Sequence, residues 1–201
     1  EQKAWELADF HCAASSVVRD QLVDAGVLPD KIWVVGYGAD AGLFPKSSAV
    51  PDGDFSICFA GQLSLRKGLF YLLQALEAAG EPSWSLNCFG PRSSETQPDF
   101  AAYKGQPQVT RQGAVSRLAL GQAFQQSHVL VLPSAEEAFG LVVVQALQAG
   151  LPCIVSDRVG AKDLIRHREN GSIVPFGDPG ALLTELRFWN ENRKRVEETY
   201  D

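Results

Sequence analysis

The sequence predicts an α/β fold, a doubly wound parallel sheet with helices on both faces. Three observations predict it. Short apolar runs recur along the chain without polar alternation, which suits strands buried on both sides. Segments with apolar residues at helical spacing separate them, as in βαβ units. The right-handed crossover rule then makes a doubly wound sheet the default.

Residues 8–14 (ADFHCAA) read as a short buried strand. Ser15 and Ser16 offer N-caps for a helix through Ala25, which Gly26 ends. Residues 31–35 (KIWVV) read as a strand. Residues 36–54 are rich in Gly, Pro and small polar residues and read as a linker holding a domain boundary. Residues 55–61 form an apolar strand ending in Gly61. Leu69, Leu72, Leu73 and Leu76 then mark one face of a helix closed by Gly80. Residues 84–90 are the next strand and 91–100 a polar loop. A short strand follows at 108–112, and Ser116 caps a helix over 117–126. Residues 128–134 are a buried strand. Residues 139–150 are ambiguous, because three valines favour a strand while length and Gly150 favour a helix. The strand at 151–157 follows too closely for two adjacent strands, so a helix over 140–149 is expected. A last strand at 171–175 precedes a charged helix from 179 to about 200.

The chain has 201 residues, 45% hydrophobic and 21% charged, an ordinary globular composition. Its net charge of −6 gives no basic footprint for nucleic acid or an anionic membrane. No apolar run approaches the ~18 residues of a membrane span. The chain contains no Met and starts at Glu1, so a processed chain or an excised fragment is expected. No signal-peptide pattern stands near Glu1, and a cytoplasmic location is expected. Cys12, Cys58, Cys88 and Cys153 form no C-x-x-C pair and read as reduced thiols. The three histidines do not pair with them at zinc-ligand spacing. His128 and His167 read as locally hydrogen-bonded.

In a doubly wound sheet, ligands sit beyond the carboxyl ends of the strands. Two loops stand out there. Gly61-Gln62-Leu63-Ser64-Leu65-Arg66-Lys67-Gly68 places two cations between a strand end and a helix start. With a helix N-terminus nearby, Arg66 and Lys67 suit a diphosphate clamp. Neither a P-loop nor a G-x-G-x-x-G fingerprint is present. Spacing alone leaves a solvated basic turn open. The second loop, Pro133 to Gly140, carries Glu136 and Glu137 into the next helix. The N–H groups of 140–142 suit an anion, and a carboxylate beside them suits substrate hydroxyls. Favourable placement against the helix dipole is the competing reading.

The stretches FAGQLSLRKGLFYLLQAL, VLVLPSAEEAFGLVVVQALQAGLPCIVSD, GAKDLI and NGSIVP resemble the donor-binding domain of GT-B retaining glycosyltransferases of family four. The resemblance covers residues 55–200. ADFHCAASSVVRDQLVDAG, KIWVVGYGAD and the following LF resemble the end of that family's N-terminal domain and its linker. The resemblance implies a remnant of that domain plus linker over 1–50 and a nucleotide-sugar-binding Rossmann-like domain over 51–201.

It also implies roles. Glu137 matches the first Glu of the family's Glu, seven residues, Glu motif, which lies at the donor sugar. Gln145 stands where the second Glu binds ribose, and Gln62 where an Arg is usual. Lys67 matches the phosphate-binding Lys, with Arg66 beside it. The backbone of Phe139, Gly140, Leu141 and Val142 matches the phosphate-contacting turn, and Gly113-Ala114-Val115 the region that meets the base. Asp163 stands where Glu is common. The expected catalytic residues are Glu137, Lys67 and Arg66. The expected donor-binding set is Gly61, Gln62, Arg66, Lys67, Val115, Ser134, Phe139, Gly140, Leu141, Val142 and Gln145.

The implied reaction moves a hexose from a UDP-, GDP- or ADP-sugar to an acceptor hydroxyl with retention, with no cofactor or metal. The acceptor is a glycan, lipid or small molecule, and this chain is the donor half, inactive by itself. Residues 1–50 are expected to cover their apolar surface on 55–200 or on a second copy. Gln62 and Gln145 keep a non-catalytic binding module or pseudoenzyme open, and a GT-B nucleotide-sugar epimerase is the nearest chemical rival.

Overall fold

The computed structural model describes residue 5 and residues 7–195. The main sheet has six strands: β3 (Phe55–Ala60), β4 (Trp84–Phe89), β5 (Gln108–Gly113), β6 (Val129–Leu132), β7 (Cys153–Ser156) and β8 (Gly171–Val174). All its pairings are parallel, in the order β5-β4-β3-β6-β7-β8. The chain winds outward from β3 to β5, then returns to β6 on the other side of β3. That reversal is a topological switch point, and it opens a crevice at the carboxyl ends of β3 and β6.

Apolar side chains from alternate strand positions feed two cores, one on each face. Ile57, Phe59, Leu86 and Val131 pack with helices α2 (Leu69–Ala79) and α6 (Pro179–Glu191). Cys58, Leu130, Cys153 and Val155 pack with α4 (Arg117–Gln125) and α5 (Leu141–Gln148), through Phe124, Val143 and Leu147. Burial on both faces explains why β3, β6 and β7 do not alternate, whereas β4 alternates and the edge strand β5 is largely exposed. It also pushes the Cys58, Cys88 and Cys153 thiols upward, that of Cys88 to about 12, so they stay protonated. Cys12 is exposed. The ambiguous stretch is the helix α5, and tertiary burial overrides the strand preference of its valines.

Ahead of the main sheet lie β1 (His11–Ala13), α1 (Ser16–Asp24) and β2 (Ile32–Val34), with β1 and β2 paired in parallel. This segment docks on the main body by way of Ser15, Ser16 and Tyr37. Phe10, Trp33, Val34 and Val35 stay exposed.

Four expectations change. The strand expected to be buried over residues 8–14 spans only His11–Ala13, and of it only Ala13 is buried. The segment 91–100 is not all loop, because α3 (Gln97–Ala102) starts inside it. The last helix ends at Glu191 rather than near 200. Arg193 and Arg195 leave the helical path to donate to the carbonyls of Gly53, Ala49, Phe124 and Gln125. Residues 196–201 of that expected helix lie outside the described residues. The linker is part of the packed body before residue 51, since Phe44 is 1% exposed beside Phe124. Ser47 also donates its N–H to the Ala149 carbonyl at 3.1 Å.

Candidate functional site

Loops 61–68 and 133–140 leave β3 and β6 at the switch point, and they are stitched together. The Ala135 N–H donates to the Arg66 carbonyl at 2.8 Å. The Arg66 guanidinium donates to the Glu136 carbonyl at 3.3 Å. Gly68 has φ 74°, and a Cβ there would collide with the Pro133 carbonyl. Only glycine meets both demands. Across the seam, Lys67 Nζ and the Glu137 carboxylate form an ion pair, with both side chains largely buried. Burial, and then the charge of Arg66, lowers the Lys67 pKa from its ordinary value. The touching carboxylate opposes both and favours the ammonium form.

Helix α5 starts at Gly140, φ 92°, with no side-chain cap. The first N–H groups of such a helix are free donors at the positive end of its dipole. The opening therefore combines an ammonium, a guanidinium and a helix N-terminus with one carboxylate. An anion carrying hydroxyl groups fits that set.

Beside it runs a groove of about 270 Å³, lined by Gly61, Phe89, Gly90, Pro91, Val115 and Val142 among others. Among the described residues lining it, Gln145 carries the one polar side chain. A flat ring fits between such apolar walls, with the Gln145 amide left to meet a hydroxyl or a ring edge.

The structure brings Gly61, Arg66, Lys67, Glu137, Gly140, Leu141 and Val142 to this opening, and Val115 and Gln145 to its groove. Gln62 is exposed on the same loop. Ser134 is not on the opening: it is fully buried beneath it, and its hydroxyl has no hydrogen-bond partner. The Phe139 side chain is also buried, edge-on to Tyr37 at 5.1 Å. Its carbonyl accepts from the Ala161 N–H, so that carbonyl is engaged within the protein.

Glu95 and Thr96 are missing from the expected set. The Leu65 N–H donates to Glu95 at 3.1 Å and the buried Thr96 hydroxyl to the Leu63 carbonyl at 2.8 Å, so both brace the basic loop. Nothing in a polar segment thirty residues downstream signals this. Asp163 caps α1, whose Ser16 donates to it. Asp52-Gly53-Asp54 has the Asp-x-Asp spacing, but it leads into the amino end of β3, opposite the opening. Among the described residues no group of three or more His, Cys, Asp or Glu is placed to hold a metal ion.

A profile of the glycosyl transferases group 1 family matches residues 41–200. The chain belongs to that family. The match starts before residue 51, as the packing of Phe44 does. Two similar curated proteins are an uncharacterized 41.2 kDa protein in the cps region of Klebsiella pneumoniae and D-rhamnosyltransferase WbpZ of Pseudomonas aeruginosa. The first is 27% identical, over 88% of this chain and 52% of its own length. The second is 29% identical, over 84% of this chain and 46% of its own length. This chain thus spans about half the length of these relatives. The fold is shared with Anabaena Alr3699/HepE, solved in complex with UDP, at TM-score 0.82 and 22% identity, over 96% of this chain and 57% of that one. No helix among the described residues is long and apolar enough to cross a membrane.

Proposed function

We propose that this chain is the donor-binding half of a retaining hexosyltransferase that uses a nucleoside diphosphate sugar. The observation that carries the reading is the Lys67–Glu137 pair, held across two stitched loops at the switch point beside an uncapped helix. In this reading the diphosphate lies between Lys67, Arg66 and the start of α5. The base enters the groove at Val115, and Gln145 meets the ribose. Glu137 exchanges its lysine partner for donor-sugar hydroxyls. As the bond from sugar to phosphate breaks, negative charge grows on the leaving diphosphate. Cations and N–H groups fixed beforehand stabilise that charge best. The acceptor, a glycan, lipid or small molecule, approaches from a half supplied outside these residues, in the cytoplasm. The chain alone then binds donor and transfers nothing.

A uridine nucleotide is the first donor to try, since the similar fold of Alr3699/HepE was solved with UDP. The test is titration calorimetry of the 201-residue chain with UDP, GDP and ADP. One of them is expected to bind, and Lys67→Ala to abolish or strongly weaken it. No binding by any of the three at millimolar concentration overturns the reading. A donor-binding module without transfer is the second reading, favoured by the neutral Gln62 and Gln145. It predicts the same binding but no transfer once the acceptor half is present.

A further inference from the structure

The N-terminal segment meets the donor side through polar contacts that the proposed chemistry leaves unused. The Ser16 backbone N–H and hydroxyl both donate to the Asp163 carboxylate, at 2.7 and 2.5 Å. Asp163 lies in a 3-10 turn, Gly160–Leu164. That turn and the cap of α1 together hold three consecutive carbonyls of the site loop. Gly160 N–H donates to the Glu137 carbonyl at 2.9 Å, and Ala161 N–H to the Phe139 carbonyl at 2.5 Å. The Ser15 hydroxyl donates to the Ala138 carbonyl at 2.6 Å. The fit is tight, because a Cβ on Gly160 would collide with both the Ala138 carbonyl and the Ser15 hydroxyl.

We propose that Asp163 is a positioning residue for Glu137, coupling the N-terminal segment to the donor site through these three carbonyls. Asp163 touches none of the groups assigned to the donor. It acts by fixing α1 to the turn, and the turn fixes the backbone from which Glu137 and the start of α5 project. A carboxylate at a helix N-terminus makes charge-assisted bonds and meets a favourable dipole. Without it the turn samples other placements. A site that is competent only part of the time binds its ligand more weakly by that fraction. In the same way, any movement of the N-terminal segment reaches Glu137. The inference rests on the proposed donor site for its functional consequence, but not for the coupling itself.

The test uses the 201-residue chain, with UDP as probe and two readouts. Amide hydrogen exchange at Gly160 and Ala161 reports the coupling, and calorimetry reports UDP affinity. Asp163→Ala is expected to speed exchange at both amides about tenfold and to weaken UDP about fivefold. Asp163→Glu keeps the carboxylate and is expected to restore both. Glu185→Gln is the control for plain destabilisation, because Glu185 on α6 accepts from Arg168 and from Ser172 of β8, away from Asp163. It is expected to lower the unfolding midpoint while leaving exchange at Gly160 and Ala161, and UDP affinity, near wild type. Unchanged exchange in Asp163→Ala overturns the proposal, and so does equal acceleration in Glu185→Gln. If Asp163→Ala does not fold, Ser16→Ala, which removes one donor, is read by the same criteria. If the unaltered chain binds no UDP, the donor reading suffers and exchange alone decides the coupling.

Discussion

Two ion pairs, each with a shielded carboxylate, show how differently one kind of contact is used in this molecule. On α6, Glu185 accepts from Arg168 at 2.8 and 3.2 Å and from the Ser172 hydroxyl at 2.7 Å. That hydroxyl in turn accepts from Trp189 Nε1 at 2.9 Å. Arg168 also lies 4.6 Å over the Phe188 ring. Burial works to raise the Glu185 pKa, but the bonds from Arg168 and Ser172 outweigh it and hold the carboxyl below its usual value. The Lys67–Glu137 pair has a single shared contact, and Lys67 lies next to Gly61, which lines the groove. A saturated pair locks β8 to α6. In the proposed reading, the unsaturated pair at a strand-end crevice keeps donors and lone pairs for a ligand.

Breaking the saturated pair has the largest expected effect. Glu185→Ala leaves the buried Ser172 hydroxyl without its acceptor and takes the carboxylate from Arg168. It is expected to lower unfolding stability by about 2 kcal/mol, read by urea denaturation, with UDP affinity within about twofold of wild type. Loss of nucleotide binding in that variant erases the distinction between the pairs. Lys67→Ala should show the reverse. UDP binding falls tenfold or more, about 1.4 kcal/mol, while stability falls by less than in Glu185→Ala, because the Glu137 side chain keeps 19% of its surface exposed against 8% for Glu185. A folded Lys67→Ala variant that binds UDP as well as wild type removes the ligand-facing role from this pair.

The same contrast sets what the sequence discloses. The sheet was legible because its central strands β3, β6 and β7 are apolar runs and the helix after β3 repeats leucines at helical spacing. The meeting of the two candidate loops was legible because a switch point exposes them, and Arg66, Lys67 and Glu137 lie on them. What stayed hidden depends on partners distant in sequence. Thr96 and Glu95 brace the basic loop from an unremarkable polar stretch. Arg195 ends the helical trend by reaching carbonyls 70 and 71 residues away, along with Ala49. Phe44 sits in a Gly- and Pro-rich stretch that reads as linker, yet it is core. Composition reports whether a segment is able to bury itself, not which backbone acceptor waits for it. Ser134 shows the converse, a residue on the right loop whose side chain points into the protein interior.

Gln145 sharpens the picture of the open site. It adds a polar side chain to a groove lined by Phe89, Pro91, Val115, Leu120 and Val142. An amide accepts through one oxygen and donates through nitrogen, whereas a carboxylate accepts through both. Gln145→Glu is expected to tighten UDP about threefold, or 0.7 kcal/mol, by serving both ribose hydroxyls. The gain should vanish with 2′-deoxyuridine diphosphate. An equal gain with both nucleotides would place position 145 away from the ribose.

The smallest effect comes from a saturated group at the closed end of the sheet. His128 Nδ1 accepts the Ser56 N–H at 2.9 Å, and its Nε2 lies 2.9 Å from the Pro51 carbonyl. That pattern fixes a neutral ring with the proton on Nε2. Burial lowers its pKa; the Pro51 bond acts in the opposite sense, and Arg193 and Arg195 add to the lowering. The unfolded chain therefore takes up the proton near pH 6.5 before the folded one does. Below that pH, unfolding gains a proton and stability falls as the solution is acidified. The Glu185 carboxyl, held below its usual value, acts at lower pH, so the comparison is made between pH 7 and 5. Unfolding midpoints in urea should decline across that interval in the native sequence. They should stay flatter in His128→Gln, whose amide has a donor and an acceptor but no proton to gain. A profile equally steep in both assigns the decline to another group and leaves the His128 ring free to charge within the fold.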